Sequence, residues 1–169
     1  NLKREETLIP SRRTFLKKSF LTTSFIALSS KELFALSTPL EILQVVQVDL
    51  FPQDMLENAN AFKYLSIVLQ HSYITQEEKD FLINGTGWLN ETANTQYQQD
   101  YIHLKEKERQ KVLRMITSES WGDGWIKTVL RYILEATLGD PLYGINKNES
   151  GWKWLAFEPG LPRPKEMLL

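Results

Sequence analysis

The clearest indication of the fold in this sequence is the segment over residues 125–141, WIKTVLRYILEATLGDP. Large apolar residues recur in it at helical intervals, at Trp125, Val129, Tyr132, Ile133 and Leu138. This spacing places them on one side of an α-helix, which would bury that side in a core. A glycine and then a proline follow Leu138, and these residues commonly end a helix. The stretch therefore predicts a long amphipathic helix that ends at Gly139.

Helical patterns of the same kind run through the chain upstream of this helix. They predict further helices over residues 40–50, 62–72, 75–89 and 104–118. Pro39 suits the first turn of the earliest helix, and Thr75 with Glu78 forms a capping-box pattern at the start of the third. No segment shows apolar and polar residues alternating between hairpin turns, which would indicate strands. The sequence predicts an all-α fold, with about five helices in one small domain over residues 38–169.

Several local expectations accompany this assignment. Residues 51–54 are predicted to form a loop, because Pro52 interrupts the helical pattern. Gly85 and Gly87 are expected either to kink their helix or to let another backbone approach closely. Residues 121–125 contain a G-x-G but no third glycine and no preceding strand, so a turn between two helices is favoured over a dinucleotide site. The core-facing residues of the fourth helix are predicted to be Leu104, Val112, Met115 and Ile116.

The composition excludes several classes of function. The chain has 169 residues, with 20 Lys or Arg against 21 Asp or Glu, and this balance gives no support to nucleic-acid binding. It has no cysteine, which excludes disulfides, thiolate metal sites and cysteine nucleophiles. His71 and His103, the only histidines, are expected at helix ends or on the surface. The acidic pairs Asp49 with Asp54 and Glu77 with Glu78 could in principle do acid–base work, but acids at a helix start more simply favour the helix dipole.

The charges are distributed unevenly along the chain. Residues 1–37 carry seven Lys or Arg against three Glu, a net charge of +4, whereas the remainder has 13 against 18, a net charge of −5. This basic front contains the heptapeptide SRRTFLK, which matches the twin-arginine export motif S-R-R-x-F-L-K at Ser11, Arg12, Arg13, Phe15, Leu16 and Lys17.

A modestly apolar run, residues 19–30, follows the motif and is too short to span a membrane. We therefore expect residues 1–37 to be a twin-arginine signal segment, with small residues that allow cleavage after Ser37. The alternative is an amphipathic basic helix that packs on the domain. Export by this route implies a periplasmic location and an encounter with the twin-arginine receptor.

The last thirty residues differ in composition from the helical body. Residues 140–165 hold four of the seven prolines and two of the five tryptophans, and helical periodicity is absent. Tyr143, Trp152, Trp154 and Phe157 offer large surfaces to bury, so disorder is not expected. The sequence predicts that residues 140–169 form an irregular but ordered aromatic tail.

Two segments of this tail resemble the C-terminal signature of the gluconate 2-dehydrogenase subunit 3 family. They read DPLYGIN over 140–146 and GWKWLAF over 151–157, against a family pattern of approximately D-P-x-Y-G-G-N and G-W-K-x-x-G-F-P-G. Ile145 and Ala156 replace two glycines of that pattern, and Glu158 is inserted before Pro159. Glycine adopts a positive φ freely and other residues do not, so these substitutions bear on the loop conformation. The matching positions are Tyr143, Gly144, Asn146, Gly151, Trp152, Lys153, Phe157 and Gly160.

The resemblance implies a function for the chain. In this family the chain is the small, non-catalytic subunit of a membrane-associated sugar or sugar-acid dehydrogenase complex. The resemblance implies a large flavoprotein subunit that carries FAD, commonly a cytochrome c subunit, and a small subunit that escorts the flavoprotein through export and helps it mature. This chain itself would hold no cofactor and no metal. Its expected partner interface comprises Tyr143, Gly144, Asn146, Gly151, Trp152, Trp154 and Phe157.

Two questions stay open at the level of sequence. In an extended tail Trp152 and Trp154 would lie on one face, as an anchor for a partner requires, but they could equally fold back on the helices as core. The alternative to the accessory-subunit function is an independent periplasmic helical protein that binds a small ligand in a Trp-lined pocket. An enzyme in its own right is disfavoured for want of nucleophile, metal and cofactor signals.

Overall fold

A computed structural model describes residues 37–163 and 165 of the chain, and these residues form an all-α domain. The predicted fold class is confirmed, since no residue of the described part lies in a strand. Of the predicted export segment, only Ser37 belongs to this part, so the twin-arginine motif lies outside it. None of the described helices is long and apolar enough to cross a membrane. The α-helices are α1 Pro39–Leu50, α2 Gln53–Ala59, α3 Ala61–Gln70, α4 Gln76–Tyr97, α5 Glu106–Ile116, α6 Gly122–Leu138 and α7 Ser150–Trp154.

The first helix begins as its sequence predicts. Thr38 caps it in a reciprocal capping box, in which Glu41 accepts from the Thr38 backbone N–H and Thr38 Oγ1 accepts from that of Glu41. The Thr38 backbone N–H and hydroxyl both donate to the Glu41 carboxylate and hold its pKa below its usual value. Pro39 occupies the first turn, where its missing N–H removes no hydrogen bond.

The prediction that residues 51–54 form a loop is wrong for half of that segment. Pro52 is the N-cap of α2, a seven-residue helix that ends at Asn60 in the left-handed conformation. Met55, Leu56 and Ala59 bury one side of α2 in the core, which supplies the stability that so short a helix lacks by itself.

The central helix α4 is not kinked by its glycines but runs unbroken to Tyr97. Nor, in the described part of the chain, does another backbone approach at these glycines: Gly85 makes room for the Trp125 indole, since a Cβ there would lie 2.0 Å from Trp125 Nε1, and no atom outside α4 lies within 4 Å of a Cβ at Gly87. Thr75 caps α4 as predicted, at 3.2 Å from the Glu78 N–H. The side chain of Glu78, however, does not reach back to complete a capping box. It accepts hydrogen bonds from Tyr132 and Arg131 of α6.

The long helix α6 contacts α1 to α4 and α7. It begins three residues before Trp125, so the predicted turn over 121–125 is wrong for Gly122 onward, which is already helical. The sequence correctly placed its inward side, with Trp125, Val129, Tyr132 and Ile133 buried, and its end before Gly139. Of the residues expected to face the core from the fourth predicted helix, Leu104, Val112 and Ile116 are buried, but Met115 is 41% exposed.

Candidate functional site

The signature segment of the tail folds onto the C-terminal end of α6. It comprises two 3₁₀ turns, Pro141–Tyr143 and Lys147–Glu149, followed by the short helix α7. The tail is therefore ordered, as predicted, but Ser150–Trp154 is α-helical rather than irregular. The φ of Gly144 is +76°, whereas Ile145 does not adopt a positive φ. The substitution of Ile145 for glycine is thus accommodated, and its side chain is buried against Gly139.

Asn146 fastens this segment to the domain. It is fully buried, and its backbone N–H donates to Ala136 O at 2.9 Å and to Ala59 O at 3.2 Å. Its side-chain Nδ2 donates to Gly139 O, and its Oδ1 accepts from the Gly151 N–H at 2.8 Å. One side chain therefore satisfies backbone groups at the end of α6 and at the start of α7, where they would otherwise be buried without partners.

Gly151 and Trp152 seat α7 against α6. A Cβ at Gly151 would lie 1.9 Å from Thr137 O, so only glycine permits this approach. The Trp152 indole is buried, and its Nε1 donates to Leu138 O at 2.6 Å, one of the carbonyls left unpaired at the end of a helix. Trp152 thus belongs to the packing of this chain, which answers one half of the question that the sequence left open.

Arg163 clamps the chain beyond α7. Its guanidinium donates to Glu149 at 2.6 Å and to Asp140 at 3.1 Å, and lies 4.8 Å from the centre of the Trp152 ring. The hydrogen bond to Glu149 and the nearby carboxylate of Asp140 raise the pKa of Arg163. No sequence signal predicted this arrangement, because Arg163 lies 14 positions from Glu149 and 23 from Asp140 with no motif that links them.

Trp154 and Phe157, unlike the buried Trp152, are exposed to solvent. Because residues 150–154 are helical rather than extended, the two tryptophans do not share a face. Trp154 is 54% exposed, Leu155 52% and Phe157 53%, which is unusual for large apolar side chains so close together. We refer to Trp154, Leu155 and Phe157 as the Trp154 face. Phe51 supports it from the loop between α1 and α2, with its ring centre 5.8 Å from that of Trp154.

Tyr143 lies apart from this face, in a groove of about 560 Å³ between α3, the end of α6 and the first 3₁₀ turn of the tail. Apolar residues dominate its wall, among them Ile67, Val68 and Ile145. At its edge the Tyr64 hydroxyl donates to Glu135 at 3.0 Å. Burial and the Glu135 carboxylate raise the pKa of Tyr64 to about 12.

The structure thus divides the predicted interface residues into two groups. Asn146, Gly151 and Trp152 hold the tail on the domain, whereas Trp154 and Phe157 remain available to a partner. Tyr143 and Gly144 are partly or fully exposed at the rim. The supporting roles of Phe51, Asp140 and Arg163 were missed at the level of sequence.

The titratable residues singled out in the sequence do not converge. The Asp49 side chain is buried, is paired with Arg109 and accepts from the Tyr101 hydroxyl, whereas Asp54 is exposed. His71 caps the end of α3, and His103 is exposed. Across residues 37–163, no three His, Asp or Glu side chains come together in a way that could hold a metal ion.

The sequence of the chain also matches a known protein family. The profile of the family described as gluconate 2-dehydrogenase subunit 3 matches residues 6–160 of the chain. This chain belongs to the gluconate 2-dehydrogenase subunit 3 family. No curated protein and no solved structure matches it.

Membership of the subunit 3 family bears on how an exposed apolar surface such as the Trp154 face is interpreted. A subunit 3 chain is an accessory subunit of a gluconate dehydrogenase complex, so part of its surface is buried against other subunits. Subunit interfaces are richest in aromatic residues at their centres. The Trp154 face, with two aromatic residues and a leucine, has this kind of composition.

Proposed function

We propose that this chain is the non-catalytic subunit that escorts an FAD-carrying large subunit through twin-arginine export and stabilises it in the periplasm. The observation that carries the proposal is the Trp154 face, a cluster of exposed aromatic and apolar side chains on a tail that is otherwise firmly anchored. An exposed cluster of this kind is costly in a free monomer and useful in a subunit. A cytochrome c subunit would hold the complex at the membrane and pass electrons onward.

The anchoring of the tail supports this function physically. Asn146, Trp152 and Arg163 fix the backbone on both sides of Trp154. A prearranged surface loses little conformational entropy when it binds, so more of the contact energy appears as affinity. The motif at Arg12 and Arg13 would then serve the whole complex, because the twin-arginine route carries proteins that are already folded.

Coexpression with the large flavoprotein subunit tests the proposal. We expect tagged wild-type chain to copurify a stoichiometric flavin-containing subunit, and the double variant Trp154→Ser/Phe157→Ser to lose most of it. Losing two aromatic anchors at an interface costs about 2 kcal/mol or more, or at least about thirtyfold in affinity. The matched control is Leu134→Ser, which removes a large apolar side chain that is 42% exposed on α6, outside both the Trp154 face and the groove of Tyr143.

Fractionation of the same cells tests the escort role. In the variant Arg12→Lys/Arg13→Lys, both this chain and the flavoprotein should remain in the cytoplasm, while their association is unchanged. Export of this chain alone, with no flavoprotein bound to the wild type, would overturn the proposal. That outcome would favour the alternative of an independent periplasmic ligand-binding protein.

A further inference from the structure

A second surface feature lies at the other end of α6, between α4, α5 and the start of α6. It is an open cleft of about 480 Å³, and we refer to it as the Trp88 cleft. The indole rings of Trp88 and Trp121 line it, with centres 5.1 Å apart and planes tilted by 58°. Trp121 is backed in turn by the buried Trp125, at 6.3 Å, which fixes this aromatic wall. The residues lining the cleft are Trp88, Glu91, Thr92, Thr95, Gln96, Met115, Ile116, Ser118, Glu119 and Trp121.

The charged side chains that line the Trp88 cleft are all negative. Glu91 and Glu119 line it and are exposed, and no Lys or Arg is among the lining residues. Neither carboxylate forms an ion pair with any residue in the part of the chain that the structure describes. Acidic side chains beside aromatic rings attract a cation in two ways, through the carboxylate charge and through the ring quadrupole.

Two of the three hydroxyl groups that line the cleft donate within the chain and can therefore only accept from a ligand. The Thr92 hydroxyl donates to Trp88 O at 2.9 Å, and the Ser118 hydroxyl donates to Met115 O at 2.6 Å. Both hydroxyl protons are thus engaged within the chain, which leaves the oxygen lone pairs and the two carboxylates for a ligand. A ligand that suits this surface is cationic, rich in donors and able to stack on an indole.

We infer that the Trp88 cleft binds an arginine side chain presented by the large subunit of the complex. The guanidinium group is planar, always charged and rich in donors, and it stacks on aromatic rings, so it matches each property of the cleft. This inference rests on the proposed function for the identity of the partner. The cleft itself is separate from the Trp154 face, because it adjoins the start of α6, a helix of 17 residues, whereas the tail folds onto the C-terminal end of that helix.

Two contacts at opposite ends of α6, one on α7 and the residues after it and one on α4 and α5, would define the orientation of the partner. A single apolar face permits rotation and sliding of a partner, whereas a charged contact at a distance fixes its register. The Trp154 face would then supply most of the affinity, and the Trp88 cleft the specificity.

The first test measures binding of a small probe to the purified full chain. The probe is Nα-acetylarginine amide, and its neutral isostere Nα-acetylcitrulline amide is the matched control. Titration followed by NMR should shift the indole N–H resonances of Trp88 and Trp121 with the arginine probe, and at least about threefold less with citrulline. D-glucose is the third probe, since these indole N–H groups could also bind a sugar. Shifts with glucose and none with arginine would overturn the inference.

The second test uses variants in copurification with the large subunit. Glu91→Gln/Glu119→Gln keeps the shape of the cleft and removes its charge, and we expect it to weaken binding about three- to tenfold. The control Glu77→Gln removes an exposed carboxylate from α4 outside the cleft and should leave binding unchanged. Increasing salt should reduce the difference between the wild type and the double variant.

The outcomes separate this inference from the proposed function. If the wild type copurifies the flavoprotein and the charge variant does so equally well, the inference is wrong and the proposed function stands. If the wild type copurifies no flavoprotein, the proposed function fails, and the arginine site fails with it as an intersubunit contact.

Discussion

Ala156 occupies the place of a glycine in the family signature, and its backbone shows why glycine suits that place. Its φ is +51°, in the left-handed region that a side chain with a Cβ adopts at a cost of about 1–2 kcal/mol. Ala156 directly follows the exposed Trp154 and Leu155, where the chain reverses so that Phe157 N–H donates to Trp152 O at 2.8 Å. The strained residue thus shapes the Trp154 face.

The variant Ala156→Gly should therefore be more stable than the wild type. We expect the free energy of unfolding to rise by about 1 kcal/mol, because the strain is relieved, although glycine also increases the entropy of the unfolded chain. Urea denaturation measures the change. As a control, Lys111→Gly places glycine at an exposed, right-handed position in the middle of α5 and should lower stability by about 1 kcal/mol. An equal decrease in the free energy of unfolding of both variants would show that the backbone of Ala156 is not strained.

At the scale of elements, one buried ion pair joins α1 to α5. Arg109 holds Asp49 with two hydrogen bonds, of 2.7 and 2.9 Å, and donates a third to Leu104 O at 2.8 Å. The Asp49 side chain is 1% exposed. The hydrogen bonds to Asp49 raise the pKa of Arg109. These bonds need the planar fork of a guanidinium, which lysine lacks.

Arg109→Lys should destabilise the domain even though the charge is kept. We expect the free energy of unfolding to fall by about 2 kcal/mol, since a single ammonium cannot reach both Asp49 oxygens and Leu104 O together. Arg114→Lys, an exposed position one turn further along α5, should change stability by less than about 0.5 kcal/mol. Thermal denaturation of the two variants side by side gives the comparison. A loss of the same size at Arg114 would show that the Asp49 geometry is not the cause.

The limits of sequence-based prediction also appear at the scale of elements. The long helices α1, α4 and α6 were predictable because a core stripe repeats over three or more turns. The helix α2 was not predictable, because a helix of seven residues after a proline contains too few repeats of the apolar pattern. Burial of Leu56, rather than local helix propensity, stabilises it. The division between a buried Trp152 and an exposed Trp154 depends on a helix of five residues. Such a helix is too short for periodicity to reveal.

The whole molecule should lose stability at high pH. Tyr101 is fully buried and hydrogen-bonded to Asp49, and burial raises its pKa well above the ordinary value near 10. Burial also raises the pKa of Tyr64 to about 12. The folded state binds the hydroxyl protons of these tyrosines more tightly than the unfolded state does. The tyrosines therefore contribute fully to the free energy of unfolding below pH 10, and this contribution is lost as the pH rises above 10.

Denaturation measured from pH 8 to 12 should show this loss. Each raised tyrosine contributes a slope of at most about 1.4 kcal/mol per pH unit, beginning near pH 10. Tyr64→Phe should flatten part of the profile between pH 10 and 12. Tyr73→Phe, at a hydroxyl that is exposed and makes no hydrogen bond to another described side chain, should leave it unchanged. A profile of the wild type that stays level up to pH 12 would contradict the prediction.

The Trp154 face has a further consequence for the whole molecule, because a surface that a partner covers couples folding to binding. A partner that binds only the folded chain stabilises it by an amount that grows with its concentration, about 2.7 kcal/mol at a hundredfold excess over Kd. Hydrogen exchange of the purified full chain, with and without the large subunit, measures this gain. We expect slower exchange at the slowest amides of α6, which report global unfolding.

The matched variant separates this coupling from a general effect of a second protein. Trp154→Ser removes a largely exposed side chain, so the free chain should exchange nearly as slowly as the wild type, while the gain on adding the large subunit should shrink. If α6 is protected equally in the variant and the wild type, the partner binds elsewhere and the assigned interface is wrong. Because α6 connects the Trp154 face to the Trp88 cleft, the same experiment on Glu91→Gln/Glu119→Gln shows whether both ends of that helix contribute to the stabilisation.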